Sequence, residues 1–403
     1  MTNDWRRGEA GFFLERGEAL EQAGRLDEAM TEFKRAVRAD PGLAEAHMAL
    51  GFHYRRKSLL SKAAEEFRSA TSLAPSYDSY FNLGHVLVDL GRPQEAIAAF
   101  RQCLTFAPDD PAVGYEIGFA LYSAADYRAA LEQLRPLLAA HPEDWELHYL
   151  AGSSELALGH YAQAQAELER ALSLQPAGDE GAGLEEALQV ALRYQEFAAP
   201  DPQDLKSRLY AEHGAVCLGS SGDDGLRIPL FTRDRLSYRD LGRTLQRFHA
   251  LRLRWHWRFA AVVAVDETSS PLARAAAHSL RAPLVEPHQA PPRGLTLLVW
   301  ARVSVPELLS VVAERVRGHH ISLVLVVDEA ALEEVVPDLV GVVTDRPVRL
   351  PWEQTARLRT PAQAAREIVA ALKSLPPDET LPAQVRYYAR LHRRLRFFPQ
   401  PAG

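Results

Sequence analysis

Two short stretches in the second half of the chain carry side chains that suit an anion or a metal ion. Asp266-Glu267-Thr268-Ser269-Ser270-Pro271 follows an apolar run and opens a helical pattern. The N–H groups that begin a helix attract negative charge, so Thr268, Ser269 and Ser270 are the candidate phosphate ligands. Asp328-Glu329 follows another apolar run and offers two carboxylates to Mg²⁺. The simpler interpretations are an ordinary capped loop and a solvated acidic first turn of a helix.

Other stretches have weaker chemical signals. The glycine-rich stretch 219–225 suggests a phosphate loop, but its Asp224-Gly225 pair between two apolar runs favours a hairpin turn. His319-His320 lacks nearby carboxylates at metal-ligand spacing, which favours a helix C-terminal cap. The sequence has no Walker glycine loop, no His-Glu-x-x-His and no Gly-x-Ser-x-Gly. We therefore predict no catalytic residues, no metal ligands and no cofactor, and an enzymatic role is left open without being favoured.

Two stretches of the second half are basic. Residues 227–258 contain nine arginines, and residues 386–398 mix five arginines with four aromatic residues. Such stretches contact nucleic acid, dock on an acidic protein surface or form a solvated face. Residues 1–200 carry a net charge of −13 and residues 201–403 a net charge of +6, so docking of the second half on the first is one of the predicted interactions. We do not favour nucleic acid as a partner.

The first half of the chain is organised by repetition. A glycine, an alanine and a proline recur in five successive units with a period of about 34 residues. A fixed period of this length predicts a helical array, an α-solenoid, in which each unit packs on its neighbours. The recurring residues are Gly17, Gly51, Gly84, Gly118 and Gly152; Ala29, Ala63, Ala96, Ala130 and Ala164; Pro41, Pro75, Pro108, Pro142 and Pro176.

These shared positions resemble the tetratricopeptide repeat (TPR) family, and they predict a five-unit array over residues 8–178. The first unit is atypical because Arg16 stands where the family has an apolar residue, and Leu134 and Leu168 replace the usual aromatic residue. The resemblance implies a superhelix whose first helices line a concave groove that binds a protein or peptide. It also implies a scaffold or adaptor function.

The resemblance places nine residues on this groove. Their side chains are aromatic or apolar with a mildly acidic rim, and the set lacks the Lys/Asn clamp that some family members use for a C-terminal carboxylate. We therefore expect an apolar or aromatic peptide segment with basic flanks. The alternatives are that these rings pack against neighbouring helices, or that the chain's own second half fills the groove. The nine residues are Met48, Phe52, Arg55, Phe81, His85, Tyr115, Phe119, Tyr122 and Tyr149.

After the repeats, the sequence predicts a capping helix and linker over residues 179–204, with the helix at Leu184–Phe197. Residues 205–403 alternate β-branched apolar runs with helical patterns, which predicts an α/β domain with a mostly parallel sheet. The predicted strands are Ala215–Leu218, Arg227–Phe231, Phe259–Val265, Pro283–Glu286, Leu295–Trp300, Ile321–Val327 and Gly341–Val343. The predicted helices are Ser237–Leu251, Pro271–Arg281, Pro306–Arg317, Ala330–Val336, Pro361–Ser374 and a basic C-terminal helix at Arg386–Phe398.

The order of these elements, with the stretch from His213 to Gly222, resembles a type I phosphoribosyltransferase. The family needs two acidic residues followed by a Thr-Gly loop, and neither Trp300-Ala301-Arg302 nor Asp328-Glu329-Ala330 supplies it. The resemblance implies a fold without its chemistry, and the alternative is a divergent enzyme that binds a phosphate-bearing ligand. Two distant cysteines, no N-terminal signal and no long apolar run predict a cytoplasmic protein without a membrane partner.

Overall fold

The computed structural model describes residues 4–176, 182–196, 204–353, 359–389 and 394–396. The chain divides into two compact units between Ala191 and Leu192. The first unit contains five consecutive helix pairs, and a further helix spans the boundary. These helices are α1 (Asp4–Gln22), α2 (Leu26–Ala39), α3 (Ala44–Arg56), α4 (Leu60–Leu73), α5 (Tyr77–Asp89), α6 (Pro93–Phe106), α7 (Pro111–Ser123), α8 (Tyr127–Ala140), α9 (Trp145–Ala157), α10 (Tyr161–Leu174) and α11 (Ala182–Gln195).

Each helix pair is closed by a glycine of its first helix that faces a large residue of its second. A Cβ atom built on Gly84 would lie 2.4 Å from Cε1 of Phe100, so no larger residue fits without movement of the ring. Leu134 and Leu168 take the aromatic position in the last two pairs and would meet such an atom at 2.8 and 2.7 Å. The recurring alanines are fully buried. The repeated residues are therefore the packing residues of an α-solenoid, which confirms the prediction.

The second unit is built on a sheet of five parallel strands in the order β1-β5-β4-β3-β2. The α/β fold with a parallel sheet is confirmed. The strands are β1 (Val216–Cys217), β2 (Phe259–Ala264), β3 (Leu295–Arg302), β4 (His320–Asp328) and β5 (Leu339–Thr344). The helices are α12 (Leu205–His213), α13 (Tyr238–Arg254), α14 (Ser270–Leu280), α15 (Leu308–Arg315), α16 (Pro361–Ser374) and α17 (Leu381–Tyr388).

Helices cover both faces of this sheet, which is why its strands read as continuous apolar runs. Helices α13, α14 and α16 pack on one face, and α12 and α15 pack on the other. The helix that follows β2 and the helix that follows β3 therefore lie on opposite faces. This makes the carboxyl ends of β2 and β3 the topological switch point, the place where such sheets usually bind ligands.

Several predicted elements differ from the structure. Residues 227–231 are not a strand: the loop after β1 runs to the end of β5, where the Phe231 N–H donates to the Val343 carbonyl. The prediction of a hairpin at Asp224-Gly225 is therefore wrong, since β1 pairs in parallel with β5 and residues 227–231 form no strand. Of Pro283–Glu286 only Leu284 bridges to β2.

Three helices also differ from the prediction. The predicted helix at 330–336 is a short 3₁₀ turn, Ala330–Glu333. Helix α12 was not predicted, and the C-terminal helix begins earlier than predicted, at Leu381. Residues 390–393 and 397–398 of that prediction, and Phe197 of the predicted capping helix, lie outside the described residues. Among the described residues, no helix combines the length and apolar character that crossing a membrane requires.

Candidate peptide-binding groove

The first helices of neighbouring repeats contact each other directly, α1 with α3, α5 with α7, and α7 with α9. The nine predicted groove residues all lie on α3, α5, α7 and α9. We use the term groove for the surface formed by these nine residues together with six acidic residues of the first helices: Glu18, Glu21, Glu45, Asp89, Glu116 and Glu146. Each of these side chains retains some exposure. The array therefore carries a row of partly exposed aromatic rings across four successive repeats.

The most open part of the groove lies around Phe52. Its ring is 41% exposed, although its edge packs against Phe67 with ring centroids 5.3 Å apart. An open pocket of about 750 Å³ adjoins it. The pocket walls come from α1 and α3 and combine apolar with charged side chains: Glu18, Glu21, Glu45, Met48, Ala49, Phe52, Arg55 and Arg56.

The other aromatic residues are held more firmly by the array. Phe81 lies in a ring cluster, with its centroid 4.5 Å from that of His85 and 5.9 Å from that of Phe100. Tyr115, Phe119 and Tyr122 are half-buried against the leucines of the fourth and fifth repeats. These residues contribute to the core as well as to the groove. The alternative, in which such rings pack against neighbouring helices, therefore holds for them in part.

Carboxylates outnumber cations in the groove. Arg56 pairs with Glu21 at 2.5 Å, and Arg55 lies 3.9 Å from a carboxylate oxygen of Asp89. The Glu116 carboxylate faces His85, whose Nδ1 lies 3.7 Å from Oε2. Burial raises the pKa of Glu116 to about 7, and the charge of Glu146 contributes to the rise.

His85 does not compensate Glu116. Burial lowers the pKa of its imidazole, and the positive charge of Arg55 lowers it further. A neutral imidazole at 3.7 Å leaves Glu116 without a positive partner of its own. The sequence analysis did not select Glu116, although it lies one helical turn before Phe119 and therefore on the same face of α7.

The switch point of the sheet is closed by its own side chains. The backbone N–H and the hydroxyl of Ser269 both donate to Asp266 Oδ1, and Trp300 Nε1 donates to Oδ2. The Ala301 N–H donates to the Ser269 hydroxyl, so this predicted phosphate ligand is fully buried and committed within the protein. Thr268 and Ser270 remain partly exposed beside it.

The two other candidate sites on this edge are also engaged internally. Asp328 accepts from the Ala330 N–H, and Glu329 pairs with Arg208. In the glycine-rich loop, Asp223 accepts the N–H groups of Ser220 and Gly225 that a phosphate would need. Among the residues that the structure describes, no group of three or more His, Cys, Asp or Glu side chains is arranged to hold a metal ion.

Part of the predicted basic stretch is internal. Arg247 is 2% exposed and pairs with Asp223 and Asp378. Arg243 also faces Asp378, and Arg233 pairs with the fully buried Asp240. These arginines hold the loop after β1 and the segment after α16 against α13. Arg243 and Arg247 are therefore withdrawn from the surface, whereas the side chain of Arg233 is still 48% exposed.

The N-terminal half matches tetratricopeptide repeat models at residues 6–44, 14–78, 77–110 and 115–182. A relative from Bos taurus, BBSome complex member BBS4, is 26% identical over 154 residues, which are 38% of this chain and 30% of that protein. The chain thus spans less than a third of that relative's length.

Two solved structures are similar to part of this chain. YrrB, described as a TPR protein with an unusual peptide-binding site, is 22% identical, with 46% of this chain and 91% of that chain covered and a TM-score of 0.40. MamA from Desulfovibrio magneticus RS-1 is 17% identical, with 43% and 98% covered and a TM-score of 0.39. The family-model matches and the five helix pairs show that the first half of this chain contains tetratricopeptide repeats.

Proposed function

We propose that this chain, whose first half carries tetratricopeptide repeats, is an adaptor that binds an apolar or aromatic peptide segment of another protein in the groove. Such repeats generally serve protein interaction. The observation that carries the proposal is Phe52, a large apolar ring that is 41% exposed beside an open pocket of about 750 Å³. A solvent-exposed ring at a concavity is the typical centre of a binding site.

The expected energetics favour a small number of anchors. Aromatic side chains contribute most of the binding energy in many interfaces, and truncation of such an anchor typically costs about 2 kcal/mol or more. Phe52 is only partly packed, so its burial by a partner removes further apolar area from water at about 25 cal/mol per Å². Phe119, which is more buried, supplies a second contact two repeats away.

For the α/β domain we propose a non-catalytic role. At the carboxyl ends of β2 and β4, Asp266, Ser269, Asp328 and Glu329 are bonded to other groups of the domain. No specific contact favours the alternative of a divergent phosphoribosyltransferase. Thermal denaturation with inorganic phosphate and with phosphoribosyl diphosphate tests it: stabilisation by the diphosphate that disappears in Thr268→Val would restore the phosphate site and favour this alternative.

The groove is tested with a defined probe and the full-length protein. A phage-displayed library of random 12-residue peptides is selected on the immobilised protein, and the enriched peptides are then synthesised. Their affinities are measured by calorimetry against the unmodified chain and the Phe52→Ala and Phe119→Ala variants. We expect each substitution to weaken binding at least tenfold, equivalent to about 1.4 kcal/mol.

The matched control is Phe106→Ala. Phe106 is 50% exposed but ends α6, a second helix of a repeat, and so lies outside the groove. We expect this variant to keep full affinity while its thermal stability resembles that of Phe52→Ala. Selected peptides that bind equally well to all the phenylalanine variants, or a library that yields no binding peptide, would refute the groove proposal.

A further inference from the structure

We infer that the segment bound in the groove carries a lysine or arginine side chain that pairs with Glu116 and Glu146. This inference rests on the proposed function, and it names the chemistry of the partner. The predicted ligand is an extended peptide of another protein that carries an aromatic or apolar anchor and, further along, a basic residue. The groove surface supports this partner through its unbalanced charge and its aromatic surroundings.

The position of Glu116 is the first part of the argument. Its side chain is 18% exposed, so most of its surface has already left water. Removing a carboxylate from water is costly unless a cation or several hydrogen-bond donors compensate it. His85 approaches it only to 3.7 Å, which is beyond hydrogen-bond distance, and Glu146 places a second negative charge nearby.

The described arginines of the array near Glu116 do not form an ion pair with it. The charge of Arg55 opposes the rise in the pKa of Glu116, but this guanidinium already faces Asp89 at 3.9 Å, and Arg56 pairs with Glu21. Asp89 adds a further negative charge that acts on Glu116. A cation supplied by a ligand would therefore meet carboxylates that the protein has placed together without neutralising them.

The rings around these carboxylates suit a cationic side chain. Burial raises the pKa of Tyr115 to about 12, and the charges of Glu146 and Glu116 add to the rise. The imidazole of His85, which forms a ring pair with Phe81, faces Glu116 from α5. A lysine or arginine between such rings gains cation–π energy in addition to its ion pair.

The negative charges of the groove disfavour an acidic partner. A peptide with acidic residues, or a nucleic acid, would bring negative charge against Glu116, Glu146 and Asp89. Phe52 and Met48 offer a separate apolar contact site on α3, two repeats from Glu116. The partner that fits both parts of the groove combines an apolar or aromatic anchor with a basic residue further along the segment.

The test uses the 12-residue peptides selected on the full-length protein. We expect one basic residue at a fixed distance from an aromatic or apolar residue among the enriched sequences. Replacing that residue by glutamine in a synthetic peptide should weaken binding about tenfold, and so should Glu116→Gln in the protein. Combining the two changes should weaken binding by little more than either change alone, because each removes the same pair.

Glu132→Gln is the matched control. Glu132 is an exposed residue of α8, a second helix, and its neutralisation changes the overall charge by the same amount without touching the groove. We expect its affinity to match that of the unmodified chain. Equal losses in Glu116→Gln and Glu132→Gln would show that only overall charge matters and would overturn the specific pairing.

Proton linkage gives a second readout. A carboxyl group with a pKa of about 7 must lose its proton before it pairs with a cation, so affinity should fall about tenfold from pH 8 to pH 6. The neighbours that titrate or carry charge here are His85, Asp89, Arg55, Glu146 and Tyr115. The pH dependence should disappear in Glu116→Gln.

The outcomes separate this inference from the proposed function. Peptides that lose affinity in Phe52→Ala but contain no basic residue, and are indifferent to Glu116→Gln, would overturn the pairing and leave the groove proposal intact. Peptides that bind without regard to Phe52 and Phe119 would overturn both. Coupling between Glu116 and a basic peptide residue would support both.

Discussion

The two halves of the molecule differ in whether their charged groups are paired within the protein. In the repeat array, burial and the negative charge of Glu146 raise the pKa of Glu116, both residues lie on first helices, and no cation is paired with Glu116 among the described residues. In the α/β domain, Arg247 is almost fully buried between Asp223 and Asp378 and also donates to the Leu218 carbonyl. One half leaves a charge imbalance on a partly exposed surface, and the other satisfies its charges internally.

This difference follows from the two architectures. A solenoid repeat packs only on its neighbours, so the row of first helices keeps one side that no other element of the array covers. A parallel sheet is covered on both faces, and the remaining edge is closed here by contacts such as Ser269 with Ala301. We therefore expect the array to bind a partner. In the α/β domain, we expect substitution of a buried charge to reduce stability.

The largest predicted effect is Arg247→Met. The substitution leaves Asp223 and Asp378 buried without their cation, and loss of one partner of a buried pair typically costs about 3–5 kcal/mol. The matched change in the array, Arg55→Met, removes a pair at 3.9 Å whose arginine side chain is 38% exposed, and it should cost less than about 1 kcal/mol. Hydrogen exchange followed by mass spectrometry reports the opening of both regions in one molecule. Equal losses for the two variants would contradict the comparison.

Two histidines should give the halves opposite responses to pH. Burial lowers the pKa of His249, on α13, to about 4. The unfolded chain then binds a proton that the folded domain does not, so this group reduces stability as pH falls from 6.5 towards 4. The gap between these pKa values is worth roughly 3 kcal/mol. Urea titrations of the unmodified chain and His249→Gln check this: the variant should lose less stability in acid.

In the array, the hydrogen bond to Glu66 raises the pKa of His47, whose Nδ1 lies 2.6 Å from that carboxylate and whose Nε2 lies 3.1 Å from the Pro41 carbonyl. Its contribution is fully present below pH 6.5 and is lost as pH rises through the raised pKa. The stability difference between the unmodified chain and His47→Gln should therefore shrink at alkaline pH. A difference that grows with pH would contradict the assignment.

The third prediction concerns the repeat glycines. Gly84→Ala places a methyl group about 2.4 Å from the Phe100 ring, and such overpacking costs about 1–3 kcal/mol. Gly11→Ala, in helix α1, places the same methyl group where no described atom beyond its own helix backbone lies within 4 Å, and alanine favours a helix by up to about 1 kcal/mol. Thermal denaturation monitored by circular dichroism should show opposite shifts. Stabilisation by both changes would mean that Phe100 moves aside easily.

Much of the array could be predicted because its decisive contacts are local. Gly84 and Phe100 are close together along the chain, and the same pairing repeats in every unit, so the period itself indicates the packing. The α/β sheet could be predicted because each of its strands is a nearly continuous apolar run, which is also a local feature of the sequence. The strand predicted at 227–231 was wrong because the position of this loop depends on the Val343 carbonyl, which lies far away along the chain.

The sequence by itself determined the helix pairs and the aromatic residues of the first helices, since they follow from a local period, and it determined the five strands of the sheet from their apolar runs. Only the tertiary structure decided which charges are satisfied. Arg247 meets Asp378 from a distant part of the chain, and Glu116 lies beside His85 and Glu146 on neighbouring helices. Composition showed a basic half and an acidic half, but burial and pairing depend on distances in space. Those distances removed Arg243 and Arg247 from the candidate basic surface of the α/β domain and placed Glu116 in the groove of the array.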